Sequence, residues 1–240
     1  MEITGAVALV TGANRGIGKA LVAALVDRRA EKIYAAARRL ADAERVARLD
    51  PRRIIPIQLD VTKGSELSAA AATARDVTLL FNNAGVLDFG SVLDASPEAV
   101  KRNFDVNCFG LLHATRAFAP ALSAHRGAVV NILTVVAFAS MPGIGVYNAS
   151  KAAAWSLTQS LRADLRKKNV KVFGVFPGPV DTDMAKDFPI AKTAPETVAH
   201  EVLNGLETDD EDIFPDPMSK QVYSSWSADH KAVERQFATM

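Results

Sequence analysis

The sequence predicts an α/β protein with a doubly wound parallel sheet, and three observations carry that expectation. Short, continuously apolar runs recur along the chain, as strands buried on both faces require. Longer amphipathic runs separate them, as crossover helices on both faces of such a sheet require. The first apolar run leads straight into a turn carrying Gly12, Gly16 and Gly18.

Ala6 to Val10 reads as the first strand, and Ile17 to Arg28 as the helix behind it, with Ile17, Leu21 and Leu25 on one face. Lys32 to Ala37, Ile54 to Leu59 and Val77 to Phe81 read as the second, third and fourth strands. A long helix is expected from Ser96-Pro97. The serine hydroxyl can accept from a free N–H of the first turn, and proline suits a position where no N–H is needed. Ala128 to Leu133 reads as the fifth strand. The next helix runs from about Val146 to Lys168 and ends on Arg166, Lys167 and Lys168, cations that complement the negative end of its dipole. Val170 to Phe176 is a sixth strand, Pro195-Glu196 opens another helix, and Asp212 to Phe214 makes a short last strand. No linker, repeat or low-complexity segment divides residues 1–240, so a single domain is expected, with a mobile loop near 183–194. In such sheets crossovers are right-handed, and ligands bind beyond the carboxyl ends of the strands.

Composition removes several classes of function. There are 28 Lys and Arg against 27 Asp and Glu, a net charge of +1, which gives no electrostatic case for nucleic acid or a membrane surface. A hydrophobic share of 49% with 23% charged residues is that of a folded globular chain. The single cysteine, Cys108, allows no intramolecular disulfide, and the scattered His113, His125, His200 and His230 have no metal-ligand spacing. A metal-free, cytoplasmic protein is therefore expected. Met1-Glu2-Ile3-Thr4-Gly5 lacks the features of a leader peptide. The uncharged stretch between Arg126 and Lys151 is broken by Asn131, Pro142, Gly143 and Asn148, so it does not read as a membrane span.

Chemistry begins at Thr11-Gly12-Ala13-Asn14-Arg15-Gly16-Ile17-Gly18. The first glycine permits a tight turn, and the later ones allow a backbone or a ligand to approach where a Cβ would collide. The helix that follows offers free N–H groups to an anion. These are the properties of a pyrophosphate cradle, although a glycine-rich turn can also bind nothing. It is not a Walker loop, because Gly18-Lys19 is followed by Ala20 rather than Ser or Thr. An acid about 20 residues past the glycines would take a free ribose 2′-hydroxyl, and an arginine there a 2′-phosphate. Arg38 stands at that distance from Gly18, beside Arg39, and Arg15 lies within the turn, so NADP(H) is expected over NAD(H). The competing reading makes Arg38 and Arg39 part of a solvated basic face with Arg45, Arg48, Arg52 and Arg53.

Tyr147 and Lys151 are four residues apart at the front of a helix and so share a face. A free phenol titrates near 10, and a neighbouring ammonium favours its anion, moving it toward the acid–base range. Such a pair taken alone also describes many surface pairs. In order and context, however, Thr11-Gly12-x-x-x-Gly16-x-Gly18, Asn82-Asn83-Ala84-Gly85 and Tyr147-x-x-x-Lys151 resemble the short-chain dehydrogenase/reductase family. Asp60-Val61, Asn107 and Pro177-Gly178-Pro179-Val180-Asp181-Thr182 are similar to further motifs of that family. The resemblance runs from about residue 4 to 185, and the remainder carries no motif.

The resemblance implies a Rossmann-type fold and an NADPH-dependent reduction of a ketone or aldehyde. It implies that Tyr147 protonates the carbonyl oxygen, that Lys151 holds the nicotinamide ribose and lowers the tyrosine pKa, and that Asn107 anchors a water relaying protons to Lys151. The cradle would be Gly12, Asn14, Arg15, Gly16, Ile17 and Gly18, with Arg38 at the 2′-phosphate. Asp60 and Val61 would meet the adenine, Asn83, Ala84 and Gly85 the adenosine ribose, and Pro177, Gly178, Val180 and Thr182 the nicotinamide. One position departs: the family's serine, thirteen residues ahead of the tyrosine, is Thr134. Threonine keeps the hydroxyl but adds a methyl and stiffens χ1, so it either serves the same role or crowds the carbonyl. Homodimers and homotetramers are common in the family, and Ala149, Ala152, Ala153 and Ala154 would permit close helix packing.

Met184, Phe188, Pro189 and Ile190, with Phe89 and Met141, suggest an apolar substrate pocket. Cys108 reads as a buried structural thiol, Asp209-Asp210-Glu211-Asp212 as a solvated acidic turn, and Tyr223, Trp226 and Phe237 as packing or subunit contacts. Two rival functions stand beside the reductase: a regulatory NADP(H) sensor with little turnover, for which Thr134 is the best support, and an NAD-linked alcohol dehydrogenase, against which Arg15 and Arg38 speak.

Overall fold

The computed structural model describes residues Met1 to Met240. Its seven strands form one fully parallel sheet: β1 (Val7–Thr11), β2 (Lys32–Ala37), β3 (Ile54–Gln58), β4 (Leu79–Asn82), β5 (Ala128–Ile132), β6 (Lys171–Val175) and β7 (Asp212–Ile213), in the order β3-β2-β1-β4-β5-β6-β7. The helices are α1 (Gly16–Asp27), α2 (Leu40–Ala47), α3 (Gly64–Thr73), α4 (Pro97–Phe104), α5 (Leu111–Ala124), α6 (Gly145–Arg166), α7 (Pro195–Thr208), α8 (Pro217–Ala228) and α9 (His230–Phe237). The doubly wound parallel sheet is the expected architecture.

Strands buried on both faces explain the continuous apolar runs. In β1 the pleat sends Ala8 and Val10 to one core and Val7 and Leu9 to the other. On the first face Leu21, Val22 and Leu25 of α1 pack with Val198, Val202, Leu203 and Leu206 of α7. On the second, Leu67 of α3 meets Phe118 and Leu122 of α5 and Leu165 of α6. The sheet is wound outward from its middle: the chain leaves β1 for β2 and β3, then returns to lay β4 on the other side of β1. The crevice opens at that reversal, past Thr11 and Asn82.

The helix expected to run on from Ser96 is interrupted. Ser96 caps α4 by accepting from Ala99 N at 3.1 Å, as its residue type predicts. A π-helical turn, Asp105–Gly110, then separates α4 from α5. Val61 presses on this turn so closely that a Cβ at Gly110 would lie 2.6 Å from its Cγ2. The chain after β6 leaves near Val180 and returns at Thr193, the neck being held by Asp181 N to Thr193 O and Thr193 N to Pro179 O, both 2.9 Å.

The last helices were not anticipated. Asp216 caps α8 in a reciprocal box with Ser219, Pro217 occupies the first helical position, and Asp229 caps α9 by accepting from Ala232 N. Phe138, Trp155, Phe176, Phe214, Tyr223 and Trp226 form an aromatic cluster under α8, so Tyr223 and Trp226 are packing residues. The acidic turn is paired rather than only solvated: Asp209 binds Lys171, and Asp212 binds Arg162. Cys108 is buried, and burial pushes its thiol up, as befits a structural cysteine. No helix is long and apolar enough to cross a membrane.

Candidate active site

Beyond the carboxyl ends of β1, β4 and β5 lies a cleft of about 1190 Å³. It is lined by Gly12, Asn14, Arg15, Gly16, Ile17, Gly18 and Arg38, by Asp60, Val61, Asn83, Ala84 and Gly85, and by Thr134, Tyr147, Lys151, Pro177, Gly178, Val180 and Thr182. The structure thus brings these expected site residues together, from segments spanning the chain up to Thr182. Asn107 stands one layer behind, where a Cβ at Gly85 would lie 3.4 Å from its Oδ1 and 3.9 Å from Lys151 Nζ.

The glycine turn is shaped first by the protein's own packing. Gly12 and Gly16 have φ of +65° and +51°, a region that favours glycine. A Cβ on Gly18 would sit 2.3 Å from Gly12 O and 2.4 Å from Asn83 Nδ2, so Gly18 is required by the neighbouring turn before any ligand enters. Asn83 closes that contact by donating to Thr11 O at 2.9 Å. Helix α1 starts at Gly16 with no side-chain cap and no acid in its first turn, leaving its leading N–H groups free for an anion.

The arginines divide in the structure. Arg15 pairs with Asp183 at 3.3 Å across the cleft. Arg39 grips Asp42 through two nitrogens, and Arg45 binds the same carboxylate. The bond from Arg39 holds the Asp42 carboxyl below the usual carboxylate range. Arg38 is exposed and has no carboxylate partner. The side chains present therefore fit a dinucleotide carrying a 2′-phosphate: an uncapped helix end for the pyrophosphate and an uncommitted guanidinium at the end of β2. Asp60 is held by Thr62, whose N and Oγ1 donate to Oδ1 at 3.0 and 2.7 Å. Burial raises its carboxyl, but those bonds outweigh it and keep the group below its ordinary value.

Tyr147 and Lys151 lie one turn apart on α6, both buried. Lys151 Nζ is 5.9 Å from the Tyr147 ring centroid and donates to Ile132 O at 2.7 Å. Burial pulls the Lys151 ammonium down to about 8. Burial likewise pushes the Tyr147 phenol upward, and the Thr134 hydroxyl pulls it back in part. Desolvation thus acts on the phenol against the lowering expected from the neighbouring ammonium, and the phenol keeps its proton at neutral pH. Thr134 lies two residues past β5, where its Oγ1 accepts from Val136 N at 3.4 Å to start a short turn, Val135–Ala137. Asn107 donates to Val86 O and to Ser150 Oγ, both at 2.9 Å, and its Oδ1 accepts from Val86 N at 2.9 Å. Ser150 passes the connection on to Tyr147 O at 2.7 Å, so the π-turn and α6 are joined directly behind the cleft.

Sequence reasoning missed Asp42, Met218, Phe237 and Met240, which also line the cleft. Phe237, expected as a packing or subunit contact, packs and also lines the cleft. The Asp216-Pro217 and Asp229 caps were the available signal that helices reach back there. Of the expected apolar pocket residues, Met141, Met184, Phe188 and Ile190 line the cleft. Phe89 stands beside it with its ring centroid 5.3 Å from that of Phe188, and Pro189 is not among the lining residues.

A family model described as short chain dehydrogenase matches residues 6–192. A short chain dehydrogenase from Burkholderia cenocepacia J2315, solved in complex with NADP, is 38% identical and superposes with a TM-score of 0.93 over 99% of each chain. The NADPH-dependent 1-acyldihydroxyacetone phosphate reductase of Saccharomyces cerevisiae is 32% identical over 222 residues, 88% of this chain and 74% of that one. A short-chain dehydrogenase from Penicillium crustosum is 36% identical over 180 residues, covering 72% of this chain and only 65% of that relative's length.

Proposed function

The chain belongs to the short-chain dehydrogenase family, and from that premise we propose that it is an NADPH-dependent carbonyl reductase, turning a ketone or aldehyde into the alcohol with Tyr147 as proton donor. The observation that carries the reading is the buried Thr134–Tyr147–Lys151 group facing an uncapped, glycine-turned helix end within one cleft. NADP in the Burkholderia relative and NADPH in the name of the yeast relative support the choice of cofactor, as does the unpaired Arg38.

NADPH, when bound, would supply the hydride for the carbonyl carbon. The protein's part is the proton. Tyr147 holds it at neutral pH because burial disfavours the phenolate, and gives it to the carbonyl oxygen as negative charge gathers there. Thr134 orients the phenol and offers a second hydroxyl to the same oxygen. Lys151, held by Ile132 O, places a titratable cation beside the phenol to stabilise the anion left behind. Asn107 and Ser150 fix the first turn of α6 from behind. A cytoplasmic homodimer or homotetramer forms part of the same proposal.

The test is NADPH consumption with aromatic and aliphatic carbonyls, run beside Tyr147→Phe. Loss of the general acid should lower kcat by about 10²–10⁴-fold while NADPH still binds. Equal turnover by both proteins would remove Tyr147 from the mechanism. Tight NADPH binding without reduction of any carbonyl would favour a sensor.

A further inference from the structure

The lining of the cleft is segregated by charge. Residues before β5 contribute the charged groups of the cofactor side, such as Arg38, Asp60 and Lys63. From β5 onward only Lys151 and Asp183 carry charge, and both are engaged, one by Ile132 O and the other by Arg15. At the α4 edge Arg102 is paired with Asp88 and Lys101 with Asp105, leaving Glu98 without a cation. Apart from Lys151, whose ammonium is tied to Ile132 O beside Tyr147, the lining from β5 onward therefore offers no cation.

That part of the lining is instead rich in methionine. Every methionine of the chain except Met1 lies there: Met141, Met184, Met218 and Met240. They arrive from four separate segments. Met141 precedes α6, where its carbonyl accepts from Asn148 Nδ2 at 2.8 Å, and Met184 is on the excursion after β6. Met218 lies in the first turn of α8 with Sδ against Gly178, and Met240 follows α9. Unbranched thioether side chains adapt to irregular apolar shapes and give little directional recognition.

Resting on the reductase reading, we propose that the substrate is an uncharged carbonyl compound with a flexible, unbranched apolar tail, and that carbonyl compounds ending in a carboxylate or phosphate are rejected. An ionised tail would lose its hydration and find no cation beyond Lys151, which is held at the reacting end beside Tyr147, with Glu98 adding repulsion. A methylene tail gains burial among four adaptable side chains.

The test is NADPH oxidation with straight-chain aldehydes from propanal to decanal, beside ω-oxo acids of matching length. In the middle of the series kcat/KM should rise about three- to fourfold per added methylene. Each long ω-oxo acid should be at least about tenfold poorer than the aldehyde of its length. Met184→Ala should reduce kcat/KM for decanal about fivefold more than for propanal. A flat series, or acids as good as aldehydes, overturns the proposal. Phenanthrenequinone is the control: if it is reduced while no straight-chain aldehyde is, the tail proposal falls and the reductase stands. If nothing is reduced although NADPH binding is seen by fluorescence, both fall.

Discussion

Among the guanidinium groups lining the cleft, Arg15, Arg39 and Arg102 are each matched by a carboxylate and Arg38 is not. Arg38→Ala should therefore weaken NADPH binding tenfold or more and leave NADH binding unchanged, since a charged hydrogen bond contributes about 1.5–3 kcal/mol. Fluorescence titration with both cofactors decides it, and an equal loss for both would move the phosphate elsewhere. Lys151 carries a pH prediction. Because its ammonium titrates at about 8 in the free protein, kcat/KM for NADPH should fall as pH rises through that value, where an ordinary lysine would hold its charge to 10.5. The effect on stability has the opposite sign. The unfolded chain binds this proton more tightly than the folded one, so burial of Lys151 costs stability below pH 8 and that cost fades between 8 and 10. Activity and thermal midpoints followed together across this window should diverge. The i, i+4 spacing of Tyr147 and Lys151 was legible in the sequence. Their protonation was not, because it depends on how completely the rest of the chain removes water from them.

The elements that hold these side chains are joined by a buried polar ladder. Asn82 of β4 donates to Thr115 of α5 at 3.0 Å and to Asn131 of β5 at 2.9 Å, and Asn131 donates to Thr158 of α6 at 3.0 Å. Asn131→Leu removes both an acceptor and a donor while keeping side-chain volume, and should cost about 2–4 kcal/mol, read as a lower urea midpoint. An unchanged midpoint would mean that α6 is positioned by apolar packing alone. Strands were readable to within a residue or two because both-face burial writes itself as apolar runs. The start of α4 was readable from Ser96 and Pro97. Its interruption was not, since what matters at Gly110 is Val61, some fifty residues earlier in the chain. Helices α2, α3, α8 and α9 were not read: α2 and α9 are only eight residues each, and the caps Asp216 and Asp229 were the local signals for α8 and α9.

At the scale of the whole molecule, one cleft collects groups from almost every strand end, so occupancy should be felt globally. NADP+ at a hundred times its Kd should add about 2.7 kcal/mol, a rise in Tm of roughly 5–10 °C for a domain of this size, while NAD+ at the same concentration should give much less. A thermal melt with each nucleotide checks this. The part of the cleft lined by the glycine turn, Asp60-Val61 and Asn83-Ala84-Gly85 was legible, because these residues lie in short contiguous motifs. The rest of the lining was only partly so, since Met218, Phe237 and Met240 reach the cleft through tertiary contacts that no local pattern announces.

The packing of α1 against α7 also bears on how the chain is made. The stretch from β1 to β3 is a complete βαβαβ unit by connectivity, and it leaves the ribosome well before α7. The apolar side of α1, however, with Leu21, Val22 and Leu25, is covered by Val198, Val202, Leu203 and Leu206. Until synthesis passes residue 206, α1 has only the strands of its own unit, through Ala8, Val10, Ile33 and Ala35, to cover that side. The nascent chain must therefore shelter part of a hydrophobic stripe until α7 arrives, and the packing of its earliest helix is completed by a helix about 180 residues later.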